Sequence, residues 1–193
     1  MALTKVRDGG TNFTGAIAPY QLILEASFSS AVSSYDISST YINSTYDNYF
    51  ILYRLLPSTD NVTMMMRWSH DDSGTNFDTG NNYGSEWQYN GGSTYTQVTA
   101  GGGLNITYSN TGSATGEGCR GHCWIYGVND TTNPTVLIGA GTNYNNTAGI
   151  TSGHYCGGQI NSIRTSKVSG VRFMASSGNL ASGEIEVYGV VNT

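Results

Sequence analysis

The stretch VSGVRFMASSGNLASGEIEVYGV (168–190) decides the fold class. In its first half Val171, Phe173 and Ala175 alternate with Arg172 and Met174. In its second half Ile185 and Val187 alternate with Glu184 and Glu186. A period of two puts each set on one face of an extended strand. The intervening SSGNLASG is turn material. The stretch therefore predicts two strands joined as a hairpin, the last one lying in a half-buried antiparallel sheet and tying the C-terminal segment into the fold.

The same vocabulary extends backwards along the chain. No apolar stripe of helical period appears, and β-branched or aromatic residues fill the apolar runs. YQLILEAS (20–27) predicts a strand with Leu22, Leu24 and Ala26 on one face. YDISSTY (35–41) is short and polar. DNYFILYRLLP (47–57) is apolar on both faces, with Tyr49, Ile51, Tyr53 and Leu55 opposed to Phe50, Leu52 and Leu56. A doubly apolar strand is a central one covered twice, or one at a contact between copies. In NVTMMMRWSHD, Val62, Met64, Met66 and Trp68 share a face. EWQY and TYTQV are weak strands in a turn-rich region from Asp71 to Gly103. LNITYS, GHCWIYGV, TVLIGAGT and HYCGGQI read as strands, with a loop at 141–153. Nine to eleven short strands with a turn signal every 8–12 residues predict an all-β, antiparallel sandwich or barrel. Residues 1–18 lack alternation and carry Gly9, Gly10 and Gly15. They read as an extended N-terminal arm before a head domain at 19–193.

Composition narrows the function classes. The net charge is −5 and charged residues are 11% of 193, so no basic face for nucleic acid is expected. No apolar run has the length of a helical membrane span. MALTKVRDGG has no apolar core behind its basic residues, so no secretory signal is expected. The triplets at Asn12, Asn43, Asn61, Asn105, Asn129 and Asn145 are then expected to be unmodified.

Three segments together resemble a family of small virion proteins of tailed bacteriophages, especially marine ones. They are the closing stretch quoted above, the opening ALTKV with its glycines, and STYDNYFILYRLLPSTDNVTMMMRWSHDDSGTNFDTG (44–80). The resemblance implies a jelly-roll-like sandwich, tail-fibre-like or capsid-attached, non-enzymatic and homo-oligomeric, often trimeric. It implies an arm that docks on other virion proteins, and assembly in the host cytoplasm. The cysteines and histidines of GCRGHC and GHYC depart from the family pattern.

Four constellations bear on chemistry. Cys119, His122, Cys123, His154 and Cys156 are zinc-type ligands, but Cys119 and Cys123 sit about 13 Å apart on a strand at ~3.3 Å per residue. Buried thiols are expected, with a Cys123–Cys156 disulfide open if their strands are neighbours. His70 to Asp78 resembles a calcium loop, without the closing glutamate. Asp71, Asp72, Asp78 and Glu86 could supply a glycosidase carboxylate pair, or a solvated loop. Tyr83, Trp87, Tyr89 and Tyr95 are candidate surface or subunit-contact aromatics, for a host glycan or a second copy, with cross-strand pairs as the alternative. Met64, Met65 and Met66 are candidate oligomer contacts. No cofactor or metal is expected. The rival function from another class is a glycan-binding or glycan-cleaving module.

Overall fold

The computed structural model describes residues 19–191 apart from 90–94, 108–110, 146–148 and 161–164. The segment assigned above to an arm, 1–18, lies outside the described residues. Twelve strands form, and no helix is present among the described residues. They are β1 (Tyr20–Phe28), β2 (Tyr35–Ile37), β3 (Asn48–Pro57), β4 (Met64–Ser69), β5 (Tyr83–Tyr89), β6 (Tyr95–Gly101), β7 (Leu104–Asn105), β8 (Gly118–Tyr126), β9 (Val136–Asn145), β10 (Gly149–Gln159), β11 (Gly170–Ala175) and β12 (Leu180–Val190). They make two antiparallel sheets. The wide one runs β1-β12-β3-β8-β9-β10-β5-β6 and the narrow one β2-β11-β4-β7.

The alternations read from sequence place the core between the sheets. Tyr49, Ile51, Tyr53 and Leu55 of β3 are buried, as are Val62, Met64, Met66 and Trp68 around β4. Val171, Phe173 and Ala175 of β11, and Ile185 and Val187 of β12, complete the same core. Each Val, Leu, Ile, Met or Phe among them contributes about 1.5–3 kcal/mol when fully buried.

Four expectations are corrected. The closing stretch is not a hairpin: β11 pairs with β2 and β4, while β12 pairs with β1 and β3. The turn at Ser176–Asn179, with Gly178 at φ 73°, carries the chain from one sheet to the other. Leu22 does not share a face with Leu24 and Ala26. A bulge between Leu22 and Leu24 pairs Leu22 with Tyr188 and Leu24 with Val187, so the face flips at the extra residue. The stretch 141–153 is not a loop, because β9 extends to Asn145 and β10 begins at Gly149. Of LNITYS only Leu104–Asn105 is strand among the described residues.

A wide sheet over a narrow one leaves inner surface to fill, and large aromatics fill it. Tyr155 stacks on Trp87 at 5.2 Å, and Trp68 meets Tyr83 edge-on at 6.4 Å. Tyr53 and Tyr155 lie over inward-facing glycines. Tyr53 pairs in register with Gly121, which pairs with Gly141; Tyr155 pairs with Gly139. The Tyr155 hydroxyl donates to the His122 carbonyl (2.9 Å), leaving the Tyr53 hydroxyl to donate to Tyr155 (2.8 Å). Burial pushes both phenols well above their usual range, so they stay neutral and hydrogen-bonded.

A Cβ at Gly139 would lie 2.5 Å from the His122 carbonyl oxygen and against the Tyr155 ring. Gly139→Ala should therefore cost about 1–3 kcal/mol by overpacking, read as a lower urea midpoint at unchanged slope. An unchanged midpoint would contradict this packing.

Candidate functional site: the outer face of the wide sheet

The register of the wide sheet sorts its outward side chains into four rows that cross the strands. Row one holds Tyr20, Val190, Asn48, Tyr126 and Val136. Row two holds Leu22, Tyr188, Phe50, Trp124, Ile138, Cys156 and Glu86. Row three holds Glu186, Leu52, His122, Ala140, His154 and Gln88. Row four holds Glu184, Arg54, Arg120, Thr142 and Ser152. Adjacent rows are two residues apart, about 7 Å along the strand.

The first two rows carry an aromatic cluster. Phe50 is at its centre, with ring centroids 5.0 Å from Trp124, 5.7 Å from His122, and 6.1 Å from both Tyr20 and Tyr188. Tyr20 lies 5.6 Å from Trp124, and Trp124 stacks on Tyr126 at 5.7 Å. Ile138 beside it is 51% exposed and Tyr20 43%. The last two rows line a trough of about 920 Å³, bounded by Arg54, Glu184 and Glu186 at one end and by His154 and Gln88 at the other. Its floor is low because Ala140, Thr142 and Ser152 are small. The outer face of the narrow sheet is furnished differently. Arg172 there forms a two-pronged pair with Asp36, 2.7 Å at each prong, and its guanidinium lies 4.2 Å above the Phe77 ring. Phe77, on the loop after β4, is buried.

The site residues expected from sequence fall elsewhere. Tyr83 and Trp87 are not surface aromatics; both are buried, on the inner face of β5. The side chains of Tyr89 and Tyr95 lie outside the described residues. Met64 and Met66 are not available as oligomer contacts because they are fully buried within one chain, and Met65 is half-buried on the opposite face of β4. The outward-facing aromatic and apolar groups here are Tyr20, Trp124, Tyr126 and Ile138. The sequence signal for the last three lies in GHCWIYGV and TVLIGAGT, which carry apolar groups on both faces of each strand.

Cys123 and Cys156 do not form a disulfide. β9 lies between their strands, and Cys123 faces the core while Cys156 faces outward. Cys119 and Cys123 share the buried face, and burial pushes both thiols up to about 12. His122 and His154 both pair with Ala140 from opposite sides, which sets their Cα atoms about 10 Å apart at ~4.8 Å per strand. No group of three or more metal-binding side chains occurs among the described residues.

Two carboxylates of the acidic loop, Asp71 and Asp78, are held by hydrogen bonds. Asp71 accepts from the hydroxyls of Ser69 and Ser73 and from the amides of Thr75 and Asn76. Asp78 accepts from the Gly80 amide, the Asn82 side chain and the Gln159 side chain. Glu86 stands in row two of the outer face. No three of these acids gather into a cation cage among the described residues. No family model matches the chain, no curated protein matches it, and no solved structure matches it.

Two outcomes follow from this geometry. Ellman's reagent should titrate one thiol, Cys156, in the native chain and three after unfolding; two or more reactive native thiols would contradict the burial of Cys119 and Cys123. The Ser69 and Ser73 hydroxyls, then the loop amides, hold the Asp71 carboxyl well below the usual carboxylate range. A depressed folded value stabilises above the unfolded value of ~3.9 and is lost as pH falls through the folded one. Asp71→Asn should therefore melt lower than wild type from pH 7 to 5, with a gap that narrows below about pH 4. A gap that stays constant into the acid would contradict the assignment.

Proposed function

We propose that the chain is a non-enzymatic bacteriophage virion structural protein. It is a jelly-roll-like head that self-associates through rows one and two, with residues 1–18 docking it on other virion proteins. A tail-fibre-like place with host-surface contact is favoured over capsid decoration, and three copies over two. The observation that carries the self-association is the uncovered second face of β3. Phe50 sits there in a contiguous apolar and aromatic surface spanning β1, β12, β3, β8 and β9. Soluble monomers rarely leave such a patch in water, and clustered Tyr and Trp are what interfaces enrich. The narrow sheet's outer face needs no second copy, since Arg172, Asp36 and Phe77 already finish it.

The jelly-roll reading is supported by pairing. With the hairpins β5-β6 and β9-β10 set aside, eight strands are left in the orders β1-β12-β3-β8 and β2-β11-β4-β7. First pairs with last, second with seventh, third with sixth and fourth with fifth. That is one long antiparallel ribbon folded over on itself, as in double-sheet jelly rolls. Such folds serve viral shells and lectins alike, so the virion assignment leans on the three sequence segments quoted above. The trough beside the aromatic cluster favours the host-contact variant.

Two measurements test the proposal. Immunogold labelling with antibody to the head should mark intact tailed particles released by cells carrying the gene. Label confined to the soluble lysate would overturn the virion assignment. Sedimentation velocity at micromolar concentration should give an oligomer for the wild type and a monomer for Trp124→Arg. A monomeric wild type would overturn the interface.

A further inference from the structure

The trough of rows three and four holds a charge arrangement that folding alone disfavours. The chain has only eight lysines and arginines, yet Arg54 and Arg120 stand directly opposite each other on β3 and β8. Like charges in directly opposed positions destabilise a strand pair. Arg54 is partly offset by Glu184 at 3.7 Å, an exposed and weak pair. Among the described residues Arg120 makes neither an ion pair nor a side-chain hydrogen bond. A guanidinium is a rigid fork of donors suited to a carboxylate.

Around this fork the remaining groups are hydrogen-bonding and small. Thr142 follows Arg120 across the sheet, and Ser152 follows Thr142, with their hydroxyls 3.2 Å apart. Gln88 closes the far end, and Glu184 and Glu186 the near end. Leu52 and His122 stand at the boundary with the aromatic rows, where His122 already lies against Phe50. An apolar and aromatic shoulder, a row of hydroxyl and amide partners, and an arginine without its own anion suit one kind of molecule. That molecule has flat apolar ring faces, many hydroxyls and a carboxylate.

We propose that this trough binds an acidic saccharide, with the sugar carboxylate held by Arg120 and Arg54. The ring hydroxyls meet Thr142, Ser152 and Gln88, and the apolar ring face rests on Leu52 and His122. The proposal gives a ligand class to the host-contact role above and rests on that reading only for its biological setting. Self-association over rows one and two leaves rows three and four at the margin of the contact, open to solvent.

The test uses the full chain in microscale thermophoresis against a panel of oligouronates of different linkage, sialyllactose, their methyl esters, and inorganic sulfate. At least one acidic oligosaccharide should bind. Its methyl ester and the Arg120→Gln variant should each weaken binding about ten- to hundredfold. Arg120→Gln also removes the opposed charges, so its melting temperature should equal or exceed that of wild type. Loss of binding is then not loss of fold. The proposal is overturned if no acidic saccharide binds at millimolar concentration, if the esters bind equally well, or if sulfate displaces the saccharide at equal concentration. Sedimentation of the same samples reads the oligomer separately, so failure of saccharide binding and failure of the assembly reading are distinguishable.

Discussion

Two buried phenols on a bed of glycines hold this molecule together. The wide sheet packs its inner face against a sheet of half as many strands. Tyr53 reaches across to Phe173 of the narrow sheet and Tyr155 stacks on Trp87, and both rings fit only because Gly121, Gly139 and Gly141 leave room for them. Their hydroxyls then need partners inside the protein, which they find in each other and in the His122 carbonyl. The result fixes β3, β8, β9 and β10 in one register. That register in turn decides which side chains share a row on the outside.

The outer rows take their places from what the inner ones fix. His122 donates nothing to the core, but its carbonyl is held by Tyr155 and its ring therefore stands at a set place between Phe50 and the trough. Trp124 is outward because Cys123 and Ile125 are inward. The same alternation that buries Cys123 thus turns the rings of His122 and Trp124, on either side of it, outward. The face grades from aromatic at one end of the strands to arginine and hydroxyl at the other, within about four residues. One surface can accordingly serve self-contact at one end and ligand contact at the other.

Much of this was legible in the sequence. Period-two alternation identified the inward sets of β3, β4, β11 and β12 correctly, because each has a polar or exposed group between buried ones. The doubly apolar β3 was legible as a strand in need of two covers. What could not be read was register between strands far apart in sequence. Trp87 and Tyr83 look exposed amid glycine and asparagine, yet their partner Tyr155 comes from β10 and their neighbour Trp68 from β4. Cys123 and Cys156 look like a pair until β9 is placed between them. The Leu22–Leu24 bulge has no local signal, since either leucine alone would fit the inward face. Arg54 and Arg120 are 66 positions apart in the chain, and only the β3-β8 pairing makes them neighbours.

Hydroxyl-radical footprinting of the chain across a dilution series tests the central claim most directly, because it reads each aromatic separately. If rows one and two form the contact between copies, Tyr20, Trp124 and Tyr126 are oxidised in dilute protein and protected in concentrated protein. Trp68 and Trp87 are protected throughout, as core residues. Equal oxidation of Trp124 and Tyr126 at every concentration would contradict the account, as would protection that appears at Met65 on the narrow sheet instead.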